Sequence, residues 1–174
     1  LEYTNDRGVW VTVYSDSRKG SASTSDLSPA AIREAVAKAC SFAEYTASDR
    51  YAGLADAERM CTDPPALDLD HPWPLEAREA IRLAIECEAA GRAADKRINN
   101  SEGATVSSHR GSRAYGNTHG LLHSYSKSSH SITCVLLAGE EGAMQRDYHY
   151  TAARDVAELE RVLVARFHLA VLHH

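Results

Sequence analysis

Five histidines, His109, His119, His123, His130 and His149, gather in the strand-rich second half of the chain. His119 and His123 are four apart, the interval at which two imidazoles on one helix grip a zinc ion. Gly116 and Gly120 break that stretch, so a helix is not expected there. On a strand the same interval places both rings on one face but about 13 Å apart, too far for one ion. Solvated or hydrogen-bonded sheet histidines are the reading this favours, with His123 wet. Asp68, Asp70 and His71 offer two carboxylates and an imidazole that could take a cation, or that stay solvated in an extended polar loop. Arg146-Asp147, beside Tyr148 and Tyr150, suits a bidentate ion pair at a strand end. Ser21, Ser23 and Ser25 alternate on a polar strand, facing water or offering hydroxyls to a bound peptide. Asn99-Asn100-Ser101 fits a glycosylation acceptor and reads as a plain turn.

The sharper signatures of chemistry are missing. The sequence contains no HExxH, GxSxG, GxxxxGK[ST] or GxGxxG. Without a phosphate-cradling loop, nucleotide hydrolysis is disfavoured; without a nucleophile elbow, so is an α/β-hydrolase. Cys40, Cys61, Cys87 and Cys134 show no CxxC spacing, which removes a zinc ribbon or thioredoxin-type site. Reduced, buried cysteines acting as small hydrophobes fit them better, in a cytoplasmic compartment. No catalytic, cofactor-binding or metal-binding residue is therefore assigned.

The elements that would carry these residues follow from composition and pattern. The chain has 174 residues, 19 Lys+Arg against 24 Asp+Glu, and a net charge of −5. Its length suggests about one domain, and 44% hydrophobic residues support a packed core. The negative balance makes nucleic-acid binding unlikely. No apolar run reaches the 18 or so residues that span a bilayer, and Leu1–Arg7 lacks the shape of a signal peptide. With no initiator Met, the chain reads as a piece of something longer.

Val9–Tyr14 is strand-like, Arg18-Lys19-Gly20 a turn, and Ser21–Ser25 the return strand of a hairpin. Ser28-Pro29 opens a helix with Ile32, Ala35, Val36, Ala39, Cys40 and Ala43 on one face, fading near Tyr45-Thr46. Residues 47–74 hold four of the five prolines and form an extended connector, long for a compact domain. Leu67, Leu69 and Trp73 should strap it to the body. A second helix runs from about Leu75 to Ala94, its apolar stripe including Ala77, Ala80, Ile81, Ala84, Ile85 and Cys87, with Glu79 and Arg82 paired outside. From Lys96 to Tyr150, turn signals at 102–103, 110–111, 116–117, 120, 128–129 and 141–142 separate short strands of an antiparallel meander. Ile132, Cys134 and Leu136 should share its buried face, covered by helices 29–46 and 75–94. A last helix from about Ala152 carries Val156, Leu159, Leu163, Phe167 and Ala170. Strands grouped apart from helices make the fold α+β, an antiparallel sheet of several short strands packed with two to three helices.

Five segments in order carry a resemblance. They are Asn5–Tyr14, Arg18–Pro29, Ala94–Gly103, Gly116–Gly120 and Met144–Thr151. The chain resembles the PmbA (TldE) branch of the TldD/PmbA family over about residues 1–157, leaving 158–174 as a divergent tail. In that tail His173-His174 reads as the start of a purification tag. The resemblance implies an N-terminal-region fragment of a subunit much longer than this chain. Such subunits are described as modulators of DNA gyrase and as partners in a cytoplasmic metalloprotease that matures peptide antibiotics and degrades an antitoxin. It further implies a TldD-like partner subunit holding zinc in an HExxxH motif, which this sequence lacks.

The expectation is thus a non-catalytic part of a peptidase complex acting on small or unfolded peptides, with no cofactor in this chain. A free sheet edge could take an extended peptide as an added strand. A structural assembly module and a regulator of DNA gyrase stay open as alternatives.

Overall fold

A computed structural model describes residues 1–139 and 143–159, and the chain divides into two compact units, Leu1–Thr62 and Asp63 onward. Length alone suggested one domain; the division falls inside the proline-rich connector, where few contacts form.

In the first unit, strands β1 (Val9–Ser15) and β2 (Arg18–Thr24) pair antiparallel from Val9↔Thr24 to Ser15↔Arg18. The turn is Asp16-Ser17, both at positive φ, the two-residue geometry whose twist matches its strands. It lies ahead of the expected Arg18-Lys19-Gly20, which are the first residues of β2. Helix α1 (Pro29–Tyr45) is capped by the Ser28 hydroxyl, which accepts from the Ala31 amide at 3.2 Å. Asp26 in turn accepts from the Ser28 amide at 2.8 Å. The buried face of α1 is Ala35, Ala39 and Ala43, narrower than the expected stripe: Val36 and Cys40 are exposed. The reason is Gly20, where helix and strand meet too closely for larger side chains.

The second unit is a three-stranded antiparallel sheet in the order β3-β4-β5, made of β3 (Ile98–Gly116), β4 (Leu122–Ala138) and β5 (Gln145–Ala153). Helix α2 (Ala77–Ala93) packs on β3 and β4. The core is Cys87, Ile132, Cys134 and Leu136, flanked by Ile98, Ala104 and Val106. Burial drives the Cys87 thiol pKa up, and that of Cys134, beside it, to about 12, so both behave as small apolar side chains. Cys40 and Cys61 are exposed, contrary to the expectation of burial.

The α+β class and the Ile132/Cys134/Leu136 face are as expected, and Thr133, Val135 and Leu137 are half-buried on the other side. The cover comes from α2; α1 packs on its own hairpin. Several details differ. The strands are long, because Arg110-Gly111 and Ser128-Ser129 lie within β3 and β4, and Glu102-Gly103 marks a bulge with Gly103 at φ +99°. Asn99-Asn100-Ser101 belongs to β3 rather than a turn. On α2 the buried positions are Leu83, Cys87 and Gly91, while Ile81 and Ile85 face outward, and Arg82 pairs with Glu86, not Glu79. Ala152-Ala153 end β5, and Val156–Glu158 form one 3-10 turn; the remainder of the expected last helix lies outside the described residues. No helix among the described residues is long and apolar enough to cross a membrane.

Candidate functional site

Two features of the second unit bear on function: a polar latch holding the connector, and a long sheet edge with an aromatic face. The latch centres on Ser128 and His130, both buried in β4. The Ser128 amide donates to Leu69 O at 2.9 Å. Its hydroxyl accepts from the His71 amide at 2.8 Å and donates to Arg154 O at 2.8 Å. A carbonyl can only accept, so His130 Nε2 donates to His71 O at 2.9 Å. Nδ1 is then placed to accept from the Ser108 hydroxyl at 3.0 Å. Trp73 closes on the His130 ring edge-on, 5.5 Å between centroids. Residues 69–73 are thus fixed to β4, as Leu69 and Trp73 suggested, by backbone groups the sequence pattern does not show.

Charged pairs frame the latch. Arg110 grips Asp70 through three contacts of 2.6–3.2 Å, and these hydrogen bonds hold the Asp70 carboxyl below its usual range. His71 donates to Asp68 O at 3.0 Å and faces Asp155 at 3.7 Å. That backbone bond first, then the carboxylates of Asp68, Asp155 and Glu158, raise its pKa against the opposing effect of burial. Arg146 reaches Glu102 with a bidentate contact of 2.9 and 3.1 Å, so the ion pair expected at the start of β5 forms across the sheet.

The second feature is the edge. β3 spans 19 residues, about 60 Å at ~3.3 Å per residue. Among the described residues it pairs on one side only, with β4. The Ser128 amide points away from β3, so its cross-strand neighbour Arg110 points away from β4. By the same alternation Val106, Ser108, Ser112, Ala114 and Gly116 aim their backbone N–H and C=O outward. Among the described residues none of these takes a backbone partner. Beyond β5, β4 continues with β3 as a two-stranded ribbon to a tip at Asn117–Leu121. One face of the ribbon exposes Arg113 opposite Tyr125, and Tyr115 opposite His123. Tyr148 and Tyr150 of β5 lie on the same face, stacked with centroids 6.5 Å apart.

The histidines do not converge. His119 sits in the tip turn and His123 on β4, half-buried rather than wet; His109 and His149 occupy different strands. No group of three or more His, Cys, Asp or Glu that could hold a metal ion occurs among the described residues. Asp70 is taken up by Arg110 while Asp68 and His71 contact each other, and among the described residues the three form no group that could hold the zinc that the resemblance implies for the complex. Ser21 bonds to Thr12 at 3.1 Å and Ser23 is exposed. Ser128 was missed, because a buried serine in a strand looks like a turn signal.

The fold and these sites place the chain among proteins built from a small hairpin-and-helix unit followed by a long-stranded antiparallel domain. It belongs to the PmbA/TldA metallopeptidase family: residues 1–43 match the model of that family's domain 1, and residues 70–167 that of its central domain. The chain is 45% identical over 160 residues to Metalloprotease PmbA of Escherichia coli O157:H7, covering 92% of this chain and 36% of that protein. It is 44% identical to the Metalloprotease PmbA homolog of Haemophilus influenzae, with the same coverage. The chain thus spans about a third of the length of these relatives. Among solved structures, a candidate modulator of DNA gyrase from Bacteroides thetaiotaomicron superposes with a TM-score of 0.79 at 22% identity, over 88% of this chain and 36% of that one. TldE from Thermococcus kodakarensis superposes with 0.59 at 17% identity, over 86% and 34%. At these identities the likeness is one of fold.

Proposed function

We propose that this chain is a non-catalytic part of a PmbA-type subunit of a cytoplasmic metalloprotease, and that it holds extended peptide for a zinc-bearing TldD-like partner. The free outer edge of β3 carries this reading. An extended polypeptide can add there as a strand through backbone bonds that tolerate many sequences, which suits an enzyme maturing or degrading unrelated small or unfolded peptides. The α2 cover and the latch keep the sheet rigid behind the edge. Peptide-bond hydrolysis belongs to the partner in this reading.

The test is binding without cleavage. A fluorescent, unstructured peptide should bind the chain, and Ser112→Pro, which removes an outward amide from the edge, should weaken it. Mass spectrometry should find the peptide intact after incubation with or without zinc. Chelator-sensitive cleavage by a preparation free of contaminating protease would overturn the assignment, and failure to bind any peptide would favour an assembly role instead.

A further inference from the structure

The ribbon's charge pattern, taken with the peptide-holding reading on which this inference rests, specifies a class of peptide. From Ala104 to Ala138 the sequence contains no Asp or Glu, in a chain with 24 acidic against 19 basic residues. Arg110, Arg113 and Lys127 lie in that stretch. Arg110 is neutralised by Asp70. Arg113 and Lys127 make no ion pair among the described residues, and both are exposed. The pairs Arg113↔Tyr125 and Gly111↔Lys127 are two residues apart in register, so both cations share one face with Tyr115 and Tyr125. Gly111, opposite Lys127, adds no side chain of its own to that face, where the His109 ring lies beside it with Nε2 3.4 Å from the position of a Cβ.

A strand laid on the outer edge of β3 presents every second side chain to this face. Directly opposite side chains on neighbouring strands stand about 4.5–5.5 Å apart, within reach of Arg113, and the flexible Lys127 side chain extends from β4 across Gly111. Tyr115 and Tyr125 supply apolar bodies beside the charges. The edge alternates donors and acceptors, which a polypeptide backbone satisfies in both senses. A phosphodiester backbone brings no N–H donor and would leave the outward carbonyls unmatched.

We propose that the ribbon edge selects acidic extended peptides, with Arg113 and Lys127 reading carboxylates at alternate positions. Fluorescence anisotropy on the intact chain tests this with four labelled probes: alternating Glu-Thr, Gln-Thr and Lys-Thr peptides of equal length, and an oligo-dT strand. The Glu-Thr peptide should bind roughly three- to tenfold more tightly than Gln-Thr at low salt, as two exposed charge pairs allow. Lys-Thr should bind weakest. The gap should close near 0.5 M salt, where the Debye length falls to roughly 4 Å. Arg113→Gln with Lys127→Gln should abolish the gap; Lys127→Gln alone should narrow it. Equal binding of Glu-Thr and Gln-Thr to the unaltered chain would overturn the charge selection while peptide holding stands. Binding of no peptide would overturn both. A gap that survives the folded double variant would place the selecting charges elsewhere and overturn the assignment to these residues. Oligo-dT binding more tightly than every peptide would overturn it in favour of nucleic acid.

Discussion

Gly20 lies so close to Ala39 that a Cβ on the glycine would stand 1.9 Å from the Ala39 carbonyl oxygen, and 2.4 Å from the Ala43 amide nitrogen. Both obstacles are backbone of α1, which cannot rotate aside. Gly20→Ala should therefore push the helix off the hairpin, at a cost of about 3 kcal/mol or more. Gly53→Ala, where a Cβ meets nothing within 4 Å, should change stability by no more than about 0.5 kcal/mol. Urea unfolding, with amide exchange read over residues 9–45, separates the two.

Ile132 is 1% exposed in the middle of β4. Ile132→Asp would bury a carboxylate without a partner and should cost about 3 kcal/mol or more. The same residue at the exposed Ser124 should cost within about 0.5 kcal/mol. Urea midpoints of the two variants check the contrast.

Ser128→Ala should loosen the connector without melting the sheet. It leaves the His71 amide and the Arg154 carbonyl without their bonds, a penalty of about 1–3 kcal/mol for a buried group. Hydrogen exchange should quicken at His71 while residues 132–136 stay protected.

The latch should also weaken with rising pH. His71 has a folded pKa above its ordinary 6.5, so its protonated form stabilises the fold. That contribution is fully present below pH 6.5 and disappears as the pH rises through the folded value. Proteolysis of residues 63–73 should accelerate from pH 6 towards 8.5, and His71→Gln should flatten the profile. Asp95 runs the other way. Its bonds from Arg97 bring it from 3.8 to about 2, so its contribution holds above pH 3.8 and is lost as acid takes the pH down through about 2.

Ile81 and Ile85 stand 51% and 61% exposed on the outer face of α2, and Phe42 is 53% exposed on α1. Apolar residues in such positions should cause association at raised concentration. Light scattering should show mass growing with concentration, and Ile81→Glu with Ile85→Glu should suppress it. A clean monomer in the unaltered chain would contradict this.

Where alternation was strong the sequence was easy to read: Ile132, Cys134 and Leu136 declare a buried face by period alone. Small and polar residues misled. Gly111 and Ser128 look like turns because Gly and Ser are common in turns, yet long pairing holds both in strands. The alanine face of α1 was blurred by Ile32, Val36 and Cys40, since only the close approach at Gly20 decides that Ala is the residue that fits. The face of α2 was misplaced for a related reason: Ile81 and Ile85 are more apolar than Gly91, but it is Leu83, Cys87 and Gly91 that meet the sheet. Of the candidate site, Arg146 and the strapping residues Leu69 and Trp73 could be read in advance. The latch could not, because its partners are mostly backbone groups far away along the chain.

The latch has a kinetic consequence. The β3–β4 ribbon can begin at its tip, where Gly116 meets Leu122, and zip outward one pair at a time, so each step closes only a short additional loop. Docking of the connector has no such ladder to climb: His71 must find Ser128 across a separation of 57 residues. Contacts so distant in sequence slow folding. The ribbon should gain exchange protection first and the connector last, and Ser128→Ala should speed unfolding far more than it slows folding.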